Sequence, residues 1–316
     1  MDVSPDLLPL VRVGSIAESK ATRWLIESLW LEGACGIIGG QPKCCKSWLG
    51  LDMAVSVASG TPCLGRFPVV TAGSALVYMA EDRVEEVRDR IYGIARHRDL
   101  DFSSLDVTLI TSPVVRLDTE VDQKRLAATV EHVRPRFLLL DPLVRLHRLD
   151  ENNAREISGL LGFLREIERR FDVAIAIAHH ASKRAHSRPG QGLRGSSDLH
   201  AFGDSNLYLA RRDNDVELTV EHRSASSIDA LRLRLITAGN SVHLEPTSGS
   251  EPPLSPAAIS DRVVAHLAKT SQPVSRNTLR EVLKVNNQRL CLAINQLCAA
   301  SVITSGPTGL RLSITP

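Results

Sequence analysis

Lys46 and Ser47 stand side by side at the start of an apolar run, six positions after Gly40. Between them lie Gln41, Pro42, Lys43, Cys44 and Cys45, and Trp48 follows. A short buried strand over residues 35–38, a break at Gly39 and Gly40, then a Lys-Ser pair opening a helix over 48–58 is the layout of a loop that wraps phosphates in backbone N–H groups. In such a loop Lys46 reaches the β- and γ-phosphates of a nucleotide, and the Ser47 hydroxyl ligates Mg2+. One position departs from the pattern: Cys45 stands where a glycine is expected. A glycine there lets the backbone approach a phosphate at dihedrals other residues resist. A side chain is expected to cost about 1–3 kcal/mol of strain or to push the nucleotide outward.

Further groups fall at the ends of apolar stretches. Asp141 closes the run 136–140 and has the place of a Mg2+-holding carboxylate. Glu81 follows the apolar run 74–80 and is the candidate general base for polarising an attacking water, with Asp82 as its rival. His179 and His180 follow the run 173–178. Neighbours on a strand point to opposite sides, so they make no metal pair; one of them is either a γ-phosphate sensor or a strand-end histidine satisfied by its surroundings. Residues 181–197 form a basic, glycine-containing loop with Lys183, Arg184, Arg188 and Arg194. It suits DNA phosphates, or simply solvent, and without aromatics it does not suit base stacking. Cys44 and Cys45, between Lys43 and Lys46 at a helix start, are placed where a thiol pKa is expected to fall.

The elements that must position these groups alternate strand and helix from 34 to 180, which predicts a right-handed α/β fold with its site at the strand C-terminal ends. Helices are expected over 84–97, 122–133 and 155–170, and strands over 74–80, 107–111, 136–140 and 173–178. Strands over 207–210, 216–220 and 231–236 complete the sheet in a more antiparallel manner. Residues 1–21 read as a loose arm, 22–243 as the α/β core, 244–256 as a linker and 257–316 as a separate small unit.

Bulk properties limit the function classes. The 316 residues suffice for one large core and a satellite domain. Hydrophobic content of 43%, charged content of 23% and a formal net charge of +2 are ordinary, so any nucleic-acid surface must be local. No run of about 18 apolar residues occurs, and the acidic start lacks the parts of a signal peptide. The six cysteines, at 35, 44, 45, 63, 291 and 298, show no metal-finger spacing and suit a reducing cytoplasm.

Taken together, Gly-Gly-Gln-Pro-Lys-Cys-Cys-Lys-Ser-Trp-Leu, Ala-Leu-Val-Tyr-Met-Ala-Glu-Asp, Phe-Leu-Leu-Leu-Asp-Pro-Leu, Ala-His-His-Ala-Ser-Lys and Arg-Gly-Ser-Ser resemble the RecA-like, AAA-type ATPases of the RepA kind. These are hexameric replicative helicases, distant kin of the DnaB and KaiC rings. The resemblance covers about residues 22–240. It implies a homo-hexameric ring with ATP and Mg2+ at subunit interfaces and single-stranded DNA in the central channel. It further implies Lys46 and Ser47 as the Walker A pair, Glu81 as the catalytic glutamate, Asp141 as the Walker B aspartate and His180 as the sensor. Rings of this kind supply an arginine in trans from a late strand. Arg223 is the candidate, with Arg211 and Arg212 as rivals.

Residues 257–316 carry a second resemblance, to winged-helix domains: three helices, over 257–268, 275–283 and 287–300, then a hairpin with its tip at 304–309. Ser275 is expected to cap the second helix. Asn287, Gln288 and Arg289 line the third, with Arg280 and Lys284 nearby for phosphates. Duplex DNA is the expected partner and a protein surface the alternative. For the whole chain the expectation is a DNA-stimulated ATPase, and the resemblance implies a helicase. The alternatives are a nucleotide-gated DNA-binding regulator with slow hydrolysis and a signalling ATPase without DNA contact.

Overall fold

The computed structural model describes residues 10–16, 22–151, 153–180, 197–239, 241–247, 256–270, 272–283, 285, 287–306 and 309–313. In chain order the elements are β1 (Trp24–Ile26), β2 (Trp30–Leu31), β3 (Cys35–Gly40), α1 (Lys46–Ser59), β4 (Ala75–Met79), α2 (Val84–His97), β5 (Val107–Leu109), α3 (Glu120–Val133), β6 (Phe137–Asp141), α4 (Ala154–Phe171), β7 (Ala174–His180), α5 (Ser197–Phe202), β8 (Ser205–Arg212), β9 (Asp215–His222), β10 (Leu231–Ala238) and β11 (Ser241–Pro246). They are followed by α6 (Pro256–Ala268), α7 (Arg276–Leu283), α8 (Asn287–Ala299), β12 (Ile303–Gly306) and β13 (Gly309–Leu312). None of the described helices is long and apolar enough to cross a membrane.

A nine-stranded sheet in the order β11-β10-β9-β8-β3-β7-β6-β4-β5 organises the molecule. From β8 to β5 all neighbours are parallel. β9, β10 and β11 extend the sheet as antiparallel hairpins. The parallel strands are buried on both faces, so they read as continuous apolar runs. Period-2 alternation divides their side chains between two cores. Ile38, Val77, Leu139 and Ala176 face α1 and α2, whereas Ile37, Leu76, Leu138 and Ile177 face α3, α4 and α5. α1 lies close on the sheet because residue 50 is glycine: a Cβ there would stand 2.7 Å from Leu139 Cδ1.

Two local expectations are corrected. Gly39 and Gly40 do not break β3; both remain paired, with β7 on one side and β8 on the other. Gly40 is needed for close approach, since a Cβ would come within 2.5 Å of the Leu209 carbonyl oxygen. Leu244, Glu245 and Pro246, expected in the linker, belong to β11. The stretch around Trp24 and Trp30 is a buried hairpin, with Leu25, Ile26, Leu29 and Trp30 almost fully enclosed.

His222 joins that hairpin to the sheet. Its Nε2 lies 3.3 Å from the Ser28 carbonyl, which can only accept, so Nε2 carries the proton. Ser205 Oγ accepts from Leu31 N–H and therefore donates to His222 Nδ1 at 3.0 Å. Burial pushes the imidazole down to about 4. The unfolded chain thus binds a proton here between about pH 6.5 and 4 that the fold refuses, and stability is lost as pH falls through that window. Urea melts from pH 7.5 to 4.5 are expected to show this loss, and His222→Gln to flatten it. An unchanged slope in the variant would place the acid sensitivity elsewhere.

After β11, α6, α7, α8 and the β12–β13 hairpin enclose a separate core that includes Ile259, Val263, Leu279, Leu290, Ile294, Ile303 and Leu310. Ser275 Oγ accepts from Thr278 N–H at 3.0 Å, the cap expected for α7.

Candidate functional site

The loop between β3 and α1 is exposed at Gln41, Pro42 and Lys43 and closes inward at Cys44. Lys43 and Cys45 both have left-handed backbones, at φ 62°. The N–H groups of Lys43, Cys44 and Cys45 meet no acceptor among the described residues. With the unpaired N–H groups of the first turn of α1, this makes a positively polarised concavity. Cys45 adopts the conformation for which glycine is preferred (φ 62°, ψ 24°), so the backbone takes the strain and keeps the loop shape. Cys45→Gly is therefore expected to relieve about 1 kcal/mol of strain and to raise nucleotide turnover. Single-turnover rates for the two proteins measure this; equal rates would mean that the cysteine limits nothing.

Lys46 starts α1 but is only 6% exposed. Its ammonium donates to the Gly40 and Gln41 carbonyls at 3.0 and 2.9 Å. Burial lowers its pKa, and the nearby Asp141 carboxylate works against that shift. Asp141 ends β6 on the face that carries Leu139, the α1 face. It is 6% exposed, and burial pushes its pKa up to about 6, although the Ser47 hydroxyl donates to it and Lys46 attracts its charge. Its Oδ2 is buried and has no hydrogen-bond partner. A carboxylate oxygen left bare beside a serine hydroxyl and a lysine fits Mg2+, a hard ion that takes oxygen ligands.

Glu81 follows β4 at the same edge, half exposed, and pairs with Arg145 at 2.6 Å. Asp82, its rival, is bound on both oxygens by Arg90 at 2.7 and 3.0 Å, which ties the β4–α2 turn to α2 and occupies that carboxylate. Arg90 also lies over the Trp48 ring. His180 pairs in register with Gly40 and shares the α1 face with Ala174 and Ala176. His179 points to the other face and lies 3.8 Å from Glu151, which is also 3.7 Å from His147. This buried group near the sheet edge had no signal in the sequence, because residues 147, 151 and 179 meet only through the fold.

The remaining candidates are not gathered here. β9 runs antiparallel, so Arg223 emerges at the opposite sheet edge, where it pairs with Asp204 at 3.1 Å and donates to the Ala201 carbonyl. Arg211, at the end of β8, is on the loop edge and near Cys45. Burial raises the Cys45 thiol pKa, the reverse of the lowering expected from its lysine neighbours. Lys183, Arg184, Arg188, Arg194 and Lys284 lie outside the described residues. Asn287, Gln288 and Arg289 are placed on α8 by backbone alone, and Arg280 is exposed on α7.

One further charged group was missed. Asp52, in the middle of α1 and 2% exposed, pairs with Arg98 at 2.6 Å and accepts from Leu64 N–H at 2.7 Å. An acidic residue inside an apolar helical run was the available signal.

The fold is similar to a solved structure described as a DnaB-like replicative helicase and its interactions with primase, with a TM-score of 0.51 and 16% identity over 67% of this chain. The match spans 57% of that chain, and at this identity the likeness is one of fold. No curated protein matches the sequence. A family model described as an AAA domain matches residues 4–186, more than half the chain and every element of the phosphate loop and the Asp141 edge, and this chain belongs to that AAA domain family.

Proposed function

We propose that this chain is a Mg2+-dependent ATPase with a RecA-like core that works on DNA. The observation carrying the reading is the convergence of Lys46, Ser47 and the bare Asp141 oxygen beside a loop of unpaired N–H groups. The loop N–H groups and Lys46 hold the phosphates, and Ser47 and Asp141 hold the metal. The metal, when bound, offsets the charge that builds on the phosphate oxygens. Glu81 orients water once its contact with Arg145 opens, and His180, beside the loop, reports the state of the terminal phosphate. Equilibrium dialysis of ATP and ADP with and without Mg2+ tests the reading. No nucleotide retained at millimolar concentration would leave an α/β scaffold without this site.

The family resemblance and the helicase-like fold support a ring in which Arg223, exposed on the far edge, serves a neighbour's nucleotide. The three helices and hairpin at the C-terminal end support a winged helix that contacts duplex DNA. Mass measurement by light scattering with and without Mg-ATP, and turnover with and without single-stranded DNA, test these points. The strained Cys45 and the occupied Glu81 favour a second reading, a nucleotide-gated regulator that hydrolyses slowly. A rate below about one per minute that DNA does not raise would select it.

A further inference from the structure

At the end of α1 away from the phosphate loop, about 20 Å along the helix, α2 meets the edge strand β11. They approach closely because residue 93 is glycine: a Cβ would stand 3.0 Å from Val242 N. Ser241 Oγ donates to the Gly93 carbonyl at 2.6 Å. One helical turn further, His97 from α2 stacks on His243 from β11, with ring centroids 3.5 Å apart and planes within 10°. Both Nε2 atoms face one oxygen, Glu245 Oε1, at 3.3 and 2.8 Å.

Neither neutral tautomer of His243 satisfies both of its neighbours. The hydroxyl proton of Ser241 is used by Gly93, so Ser241 Oγ can only accept from His243 Nδ1, 3.5 Å away. With the proton on Nδ1, His243 Nε2 directs a lone pair at the carboxylate oxygen. With the proton on Nε2, a buried Nδ1 lone pair faces an oxygen that has no proton left to give. A positive centre between the Nε2 atoms and Glu245 removes the conflict. The nearby Arg98 charge is already answered by Asp52.

We propose that His97, His243 and Glu245 hold one divalent ion of the zinc class, which clips the end of α2 to β11. The three ligand atoms lie within 4.8 Å of one another. Tetrahedral zinc places its ligands about 3.3 Å apart, and two imidazoles with one carboxylate are a set it uses, a water taking the fourth position. That position opens on a solvent cavity of about 490 Å³ lined by Thr61, Leu64, Arg66, Arg98 and Pro246. A metal lies in the plane of each imidazole it binds, so the stacked rings must open. His97, with 39% of its side chain exposed, has room to turn.

The test uses the tag-free full chain, stripped with chelator and titrated with Zn2+ alone, with bound metal counted by competition against a chromophoric chelator. One zinc per chain at about micromolar affinity or tighter is expected. His97→Gln and Glu245→Gln are each expected to weaken it at least about 100-fold. His97 is at the surface, so its variant keeps the fold, and a melting curve confirms that. Cobalt in place of zinc should give a four-coordinate visible spectrum that both variants lose. Zinc should raise the melting temperature of the wild type and leave that of His97→Gln unchanged. Binding that survives both substitutions, or no binding at 100-fold higher zinc (about 100 μM), overturns the site. So do melting curves that follow pH identically in zinc and in chelator, since the group would then answer to protons only.

Discussion

Lys46→Ala is expected to reduce nucleotide hydrolysis at least about 100-fold while the chain stays folded, because the change removes a preorganised charge aimed at the phosphate oxygens. The Lys46 ammonium is held against the Gly40 and Gln41 carbonyls in a nearly closed setting, where no solvent cation takes its place. Its loss also removes one of the attractions opposing the protonation of Asp141. Mg2+-dependent nucleotide retention should therefore weaken with the rate. The thermal transition should stay cooperative, since Lys46 anchors loop carbonyls and no part of either apolar core. Wild-type turnover in Lys46→Ala would remove the loop from the chemistry and, with it, the proposed activity.

Asp52→Ala is expected to destabilise the core by about 3–5 kcal/mol, the cost of leaving one member of a buried ion pair alone. Arg98 is nearly as enclosed as its partner and also donates to Ser56 Oγ and Thr61 Oγ1. Asp52 further accepts from Leu64 N–H and Cys63 Sγ, so one carboxylate fastens α1 to the end of α2 and to the turn between them. Urea denaturation at constant m-value measures the change. Replacing both partners with apolar groups, Asp52→Leu with Arg98→Met, should recover part of the loss, because no buried charge is then left unpaired. If the double variant is no better than the single one, the backbone contacts of Asp52 carry the effect instead of its charge partner.

Much of the fold was readable because the parallel strands lie between two helical layers and have no polar face to confuse the pattern. The helix at Val84–His97 and the strand leading to Asp141 fall where periodicity placed them. Gly60 ends α1 in a left-handed conformation, as a helix-terminating glycine should. β11 was missed because Pro246 and the serine-rich residues after it look like a linker, and only pairing with β10 and packing on α2 make 241–246 a strand. The Gly39–Gly40 pair looked like a strand end because glycine lacks strand propensity, but the flanking strands override that preference.

The candidate site divides in the same way. Residue order alone placed Lys46, Ser47, Glu81 and Asp141 at strand ends, since apolar runs closing in a charge are visible in one dimension. Which of those charges are free and which are engaged was decided by tertiary contacts. Asp82 is taken by Arg90, Glu81 by Arg145, and Arg223 is carried to the other edge by an antiparallel strand. The pairing of Asp52 with Arg98 and the meeting of His97 with His243 and Glu245 join residues 46, 146 and 148 positions apart. Local pattern reports what a residue prefers. Burial and charge pairing across such separations exist only once the sheet has brought distant strands and helices together.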